Sequence, residues 1–336
     1  MKSSIVFVVE KSSAAQALAG HISKRWPDRS VYAIPTMYLG LYEFRYPRGL
    51  SIASFPYVSE PVWQPRRQLG GATWPVWLID GGTLTRIDRK PADVLREADT
   101  VENNSIWFAG EPDASGVVAY QVLLAECLGG ATFAGASRPA LHLAAYDSGT
   151  IEAAFDARST TGDDWFVGCL AAGTARRFFD FNYNVNSLAL FGAALRHVGV
   201  STEKFAMSKY SLQLLYSLRE RPAESEAALC RRMETWAGTG RHVPSPLGSP
   251  ASRWPIVTGL QDAGLITFDR ENGITISAAG TEFLGLLHPD CCDADLPARM
   301  RQWEEAWPAT RPAIERYLRT FFGKQKRFGV SKLALS

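Results

Sequence analysis

The sequence predicts an α/β domain built on a parallel sheet with flanking helices, followed by a mainly helical domain with a winged-helix-like part. Three observations carry this. Ile5-Val-Phe-Val-Val9 is a β-branched apolar run, closed by Glu10 and followed by a helix-prone segment. Ile106-Trp-Phe108 is a second apolar run, closed by Glu111 and Asp113 and again followed by an apolar helical segment. Far downstream, Ile256 to Leu287 reads helix, hairpin, helix. The first domain is expected over 1–147 and the second over 148–336.

Composition narrows the class. With 46% hydrophobic and 21% charged residues, the 336-residue chain is globular and long enough for two domains. The net charge of +2 does not announce a nucleic-acid binder, so any basic surface must come from local clustering. No apolar run is long enough to cross a bilayer, and no membrane partner is expected. The start, Met1-Lys-Ser-Ser4, leads into a strand without a cleavage-type signal. The five cysteines, at 127, 169, 230, 291 and 292, have no zinc-site spacing, so a reduced, cytoplasmic protein is expected.

In chain order, Glu10 and Lys11 end the first strand. Ser12 and Ser13 are candidate N-caps for a helix carrying Ala14, Ala15, Leu18 and Ile22. Pro56, Pro61, Pro65 and Gly70-Gly71 mark a long irregular connection. Beyond it, Asp80-Gly-Gly82 is a turn between two strand-like runs. The second strand ends in Glu111-Pro-Asp113, and Gly116 is expected to open the helix Val117 to Leu128. Two acids at i, i+2 on the carboxyl edge of a parallel sheet suit a hard cation such as Mg²⁺. The same residues also suit a solvated turn with a helix-capping acid. In a parallel sheet the two strand ends can lie side by side, bringing Glu10 towards Glu111 and Asp113.

Ser148 to Leu195 is expected to be mostly helical, with Arg176 and Arg177 on one stretch. Gly264 is the C-cap signal of the helix carrying Ile256, Leu260 and Ala263. Leu265–Phe268 and Ile274–Ile276 are the hairpin strands, and Ala278-Ala279-Gly280 starts the closing helix, Thr281 to Leu287. The tail from Arg299 is amphipathic through Trp303, Trp307, Ile314 and Leu318. It turns basic at Arg316, Arg319, Lys324, Lys326 and Arg327, which suits either phosphates or a solvated helix end.

Several of these segments together resemble the type IA DNA topoisomerases, topoisomerase III in particular. Val9-Glu-Lys-Ser12 is similar to the Glu-Lys-Pro-Ser opening of their TOPRIM domain, and Ala109-Gly-Glu-Pro-Asp-Ala-Ser-Gly116 to their Asp-x-Asp-x-Glu-Gly segment. Ala175-Arg-Arg-Phe-Phe-Asp180, Ser208-Lys-Tyr-Ser-Leu-Gln213 and Gly248-Ser-Pro-Ala-Ser-Arg253 resemble three later blocks, in the family's order. The resemblance implies that Glu10, Glu111 and Asp113 hold Mg²⁺ and that Lys11 stands at the active-site lysine position, with Glu10 and Lys11 as the catalytic pair. It implies single-stranded DNA in a groove between the two domains, touched by Lys11, Arg176, Ser208, Lys209, Gln213 and Arg253. The sequence departs from the family at Ser115, where a third acid stands, and at Ala114, where an arginine stands. The arch that carries the cleaving tyrosine is missing between Glu220 and Ser225. Tyr46 and Tyr210 are the tyrosines to test as replacements. The expectation is a topoisomerase-like protein that binds single-stranded DNA without cleaving it, within a DNA-processing complex that includes a protein partner. A Mg²⁺-dependent TOPRIM nuclease, or a topoisomerase subunit that borrows a partner's tyrosine, are the alternatives.

Overall fold

The computed structural model describes residues 4–37, 40–66, 74–99, 105–129, 137–269 and 273–333. The expected Gly70-Gly71 breaker lies outside them, as does most of the turn between Asp269 and Gly273. The chain divides into two compact units, one of Met1–Arg45 with Val62–Thr174, the other of Tyr46–Pro61 with Ala175–Ser336. This division falls inside a long helix and not at residue 147, and the second unit also takes in an early segment.

In the first unit, six strands form one sheet. β1 (Ser4–Val9), β2 (Ser30–Pro35), β5 (Val76–Asp80), β6 (Thr83–Ile87), β7 (Ile106–Gly110) and β8 (Ala140–His142) lie in the order β6-β5-β2-β1-β7-β8. β1 pairs in parallel with β2 and β7, and β7 with β8. β5 and β6 run antiparallel, so the sheet is mostly parallel but mixed. The edge hairpin turns on Gly81 and Gly82, whose φ of 53° and 83° are left-handed, as a tight two-residue hairpin requires. A separate small hairpin pairs β3 (Tyr42–Phe44) with β4 (Trp63–Pro65).

β1 is buried along its whole length because both faces of the sheet are covered. Val6, Val8, Ile106 and Phe108 pack on one face with α2 (Pro91–Asp99) and α3 (Ala114–Leu128). Ile5, Phe7, Val9 and Ala109 pack on the other with α1 (Ser12–Arg25) and α4 (Ser148–Ala157). Strand alternation sends successive side chains to these two cores.

Three local expectations need correction. The connection from Pro56 to Gly71 is not wholly irregular, since Trp63–Pro65 form β4, and two elements without a sequence expectation, β2 and α2, stand before and after it. The N-cap of α1 is Lys11, without a side-chain cap bond, and not Ser12 or Ser13. α3 begins at Ala114, two residues before Gly116, because Asp113 caps it.

α5 (Asp164–Leu190) begins in the first unit and ends in the second. The second unit continues with α6 (Gly192–His197), α7 (Lys209–Glu220) and α8 (Glu226–Glu234). Then come α9 (Pro250–Asp262), the hairpin of β9 (Ile266–Asp269) and β10 (Gly273–Ile276), and α10 (Ala278–Gly285). This is the expected helix-hairpin-helix order, and α10 starts at the expected Ala278, capped by Ser277. α11 (Leu296–Glu305) and α12 (Arg311–Leu333) follow. The core joins Phe178, Phe179, Tyr183, Leu212, Phe283 and Phe322.

The early segment is fastened to α5 by two fully buried asparagines. The Asn182 side chain accepts from the Ser59 backbone N–H at 2.8 Å and donates to the Ser59 carbonyl at 2.9 Å. Asn186 accepts from the Tyr57 N–H at 2.8 Å and donates to the Tyr57 carbonyl at 2.6 Å. Four residues of helix advance about 6 Å and two of extended chain about 6.6 Å, so asparagines at i, i+4 match backbone at i, i+2.

Candidate metal centre

The register of β1 against β7 sets Val9 opposite Ala109, so Glu10 and Gly110 are the next neighbours along the carboxyl edge of the sheet. Glu10 is buried, with 1% exposure. It fits there because Gly110 has no side chain: a Cβ at 110 would stand 3.3 Å from Glu10 Cγ and 3.1 Å from Phe108 Cζ. β7 then runs into the turn Glu111-Pro112-Asp113, closed by the Asp113 N–H donating to the Glu111 carbonyl at 2.8 Å. Glu111 is half-buried and Asp113 exposed. One carboxylate oxygen from each of Glu10, Glu111 and Asp113 lies within 4.8 Å of the other two.

Asp113 carries both roles that its sequence position suggests. Its Oδ1 accepts from the Gly116 N–H at 2.6 Å and caps α3. It also converges with the other two acids. Gly116 forms the wall of the cluster, since a Cβ at that position would stand 3.1 Å from Glu10 Oε1 and 3.3 Å from Asp113 Oδ1. A side chain there would fill the space between the acids. Three oxygen donors around a space kept open by glycine fit a hard divalent cation, which takes carboxylates and fills its remaining positions with water. Like charges at this range repel, and a cation between them relieves the repulsion. The donor set identifies the class of cation and not the element.

No family model matches this chain, and no curated protein does.

α5 buttresses the acid turn. The Cys169 thiol donates to the Pro112 carbonyl at 3.3 Å. Burial pushes this thiol's pKa up and the Asp113 charge adds to the effect, so it stays protonated and able to donate. One turn on, Gly173 abuts the start of α3, where a Cβ would come within 2.4 Å of both the Ala114 carbonyl oxygen and Val118 Cγ2. Neither residue was singled out in the sequence. The available signal was small residues at i, i+4 on a helix, which marks close helix packing without saying against what.

Lys11 follows Glu10 directly, is exposed, and stands at the N-cap of α1. In the second unit, the other expected contacts mostly serve the fold. Gln213 is buried, donating to the Cys291 carbonyl at 3.0 Å and accepting from the Asp293 N–H at 2.7 Å. Both ends of its amide are used internally, so it is a structural group and not a surface contact. Lys209 is also buried, paired with Asp180 and packed 5.1 Å from the Phe179 ring centroid. Ser208 caps α7 through the Ser211 N–H. Arg176 makes a bidentate pair with Glu304, 2.8 Å on each arm. Arg253 pairs with Glu234 at 3.5 Å. Burial pushes the Tyr210 hydroxyl pKa up, opposite to what an attacking phenolate needs. The Tyr46 hydroxyl lies 3.1 Å from the Asn184 amide nitrogen, which donates to it.

Proposed function

We propose that this chain is a type IA topoisomerase-like, TOPRIM-containing protein that binds single-stranded DNA with the help of a divalent cation, Mg²⁺ by preference, and does not cleave it. The convergence of Glu10, Glu111 and Asp113 at the carboxyl edge of a mostly parallel sheet carries the reading. Glu10, Glu111 and Asp113 would hold the cation. When bound, it would neutralise and orient the non-bridging oxygens of a phosphodiester. Lys11 offers a point charge beside Glu10 for the same phosphate. The raised pKa of the partly buried Tyr210 hydroxyl supports holding over covalent attack, which needs an activated nucleophile. Since Gln213 and Lys209 are internal, the binding is assigned to Lys11 and the acids first, with Arg176, Ser208 and Arg253 secondary.

A second reading, Mg²⁺-dependent hydrolysis, draws on the same acids, and one experiment separates the two. A fluorescent oligonucleotide is titrated with protein in Mg²⁺ and in chelator, then run on a denaturing gel. Binding tightened by Mg²⁺, weakened in Glu10→Gln and Lys11→Ala, with the strand intact and no covalent adduct, is the expected result. Nicking that Glu10→Gln abolishes would move the assignment to the nuclease. Affinity indifferent to Mg²⁺ and to both substitutions would end the metal reading.

A further inference from the structure

The basic residues of α12 sort into two sets. Arg311 is tied to Glu60 and Glu315, Lys324 to Asp290, and Lys326 to the carbonyls of Ala53 and Phe55. Arg316 and Arg319 have no ion-pair partner among the described residues, and both are exposed. Together with exposed Arg327 they line an open hollow of about 520 Å³, which Pro312 and Thr320 also line. The one acid among its lining residues, Glu315, is already bound by Arg311 at 3.0 Å. From Arg316 to Arg327 is eleven residues, about 16 Å of helix. Ile314, Leu318, Phe321 and Phe322 on the opposite side are buried in the core.

Like charges at i, i+3 on a helix cost a few tenths of a kcal/mol, so Arg316 and Arg319 side by side are not there for stability. A membrane-surface helix shows an apolar face beside its basic one. A protein interface centres on apolar or aromatic anchors. Among the described residues, none of the exposed large hydrophobics lies on α12. What remains is a polyanion that needs charge and guanidinium forks only, the phosphate backbone of nucleic acid.

We propose that the outer face of α12 is a docking strip for nucleic-acid backbone phosphates, held by Arg316, Arg319 and Arg327. It needs no cation and no residue of the acid cluster, so it goes beyond the reading above and can fail independently of it. The test is the salt dependence of oligonucleotide binding by the full chain in chelator. Each phosphate neutralised by a guanidinium adds about −0.7 to the slope of log affinity against log salt for a single strand. The double variant Arg316→Ala/Arg319→Ala should flatten the slope by about 1.4 and weaken binding about tenfold near 0.15 M salt. An unchanged slope in the double variant overturns the proposal, as does tighter binding to phosphatidylserine-containing vesicles than to the oligonucleotide. Both arginines project to solvent, and a matching circular-dichroism melt confirms that the variant is folded.

Discussion

Replacing Gly116 with alanine should separate stability from metal binding. In an ordinary helix this change stabilises by about 0.5–1 kcal/mol, because glycine loses more backbone freedom on folding. Here the new methyl would stand 3.1 Å from Glu10 Oε1 and 3.3 Å from both Asp113 Oδ1 and the Glu111 carbonyl oxygen. Each contact is a few tenths of an ångström too short for comfort. To admit the methyl, Glu10 Oε1 or Asp113 Oδ1 must shift by a few tenths of an ångström, which takes a carboxylate oxygen out of its place around the shared space. Mg²⁺ demands near-ideal octahedral geometry at about 2.0–2.1 Å, whereas Ca²⁺ accepts about 2.3–2.6 Å and irregular shells. Losing one well-placed oxygen should therefore weaken Mg²⁺ by about tenfold, or about 1.4 kcal/mol, and Ca²⁺ by less. Calorimetric titration with each ion, beside thermal melts in chelator, reads both quantities. The expected pattern is a melting temperature equal to or above wild type in chelator, with a smaller rise on adding Mg²⁺. Unchanged Mg²⁺ affinity, or an equal loss for the two ions, would show that Gly116 does not shape the site.

Three further outcomes follow from the same geometry. Asp113→Asn keeps a capping oxygen but removes a charge, so it should abolish metal binding at little cost in stability. Asp113→Ala should additionally lose about 1 kcal/mol of cap, and paired urea melts compare the two. Gly173→Ala drives a methyl into the Ala114 backbone, which cannot step aside, and should cost about 1–3 kcal/mol in the same assay. Burial alone would raise the Asp180 carboxyl, but Lys209 and Arg177 outweigh it and hold its pKa below the ordinary carboxylate value. Its contribution is therefore complete at neutral pH and drains as pH falls below about 4; unfolding midpoints between about pH 5 and 3 should fall more steeply for wild type than for Asp180→Asn.

The site was more legible than the sheet around it. β1 and β7 announce themselves because strands buried on both faces are uninterrupted apolar runs, and the acids stand immediately after them. β2 is equally central, yet Ser30-Val-Tyr-Ala-Ile-Pro35 is short, contains a tyrosine and ends in proline, and so passes for loop. The antiparallel edge turns on two glycines that show a hairpin but not its partner strand. Ser208 reads the same whether it caps a helix or touches a phosphate, and Gln213 the same whether buried or exposed. Only tertiary packing decides such polar residues, and for Gln213 the partners are backbone groups 78 and 80 residues away.

The asparagine pair on α5 has a consequence for synthesis and for cutting the chain. Residues 57 and 59 leave the ribosome 129 and 123 residues before the side chains that bind them. At about 5–20 residues per second, this segment waits on the order of ten seconds with its backbone groups answered only by water. The second unit is therefore not a C-terminal module that can be lifted out at Ala175. A fragment starting there would bury two amides whose four partners were left behind, and would have to open to water to satisfy them.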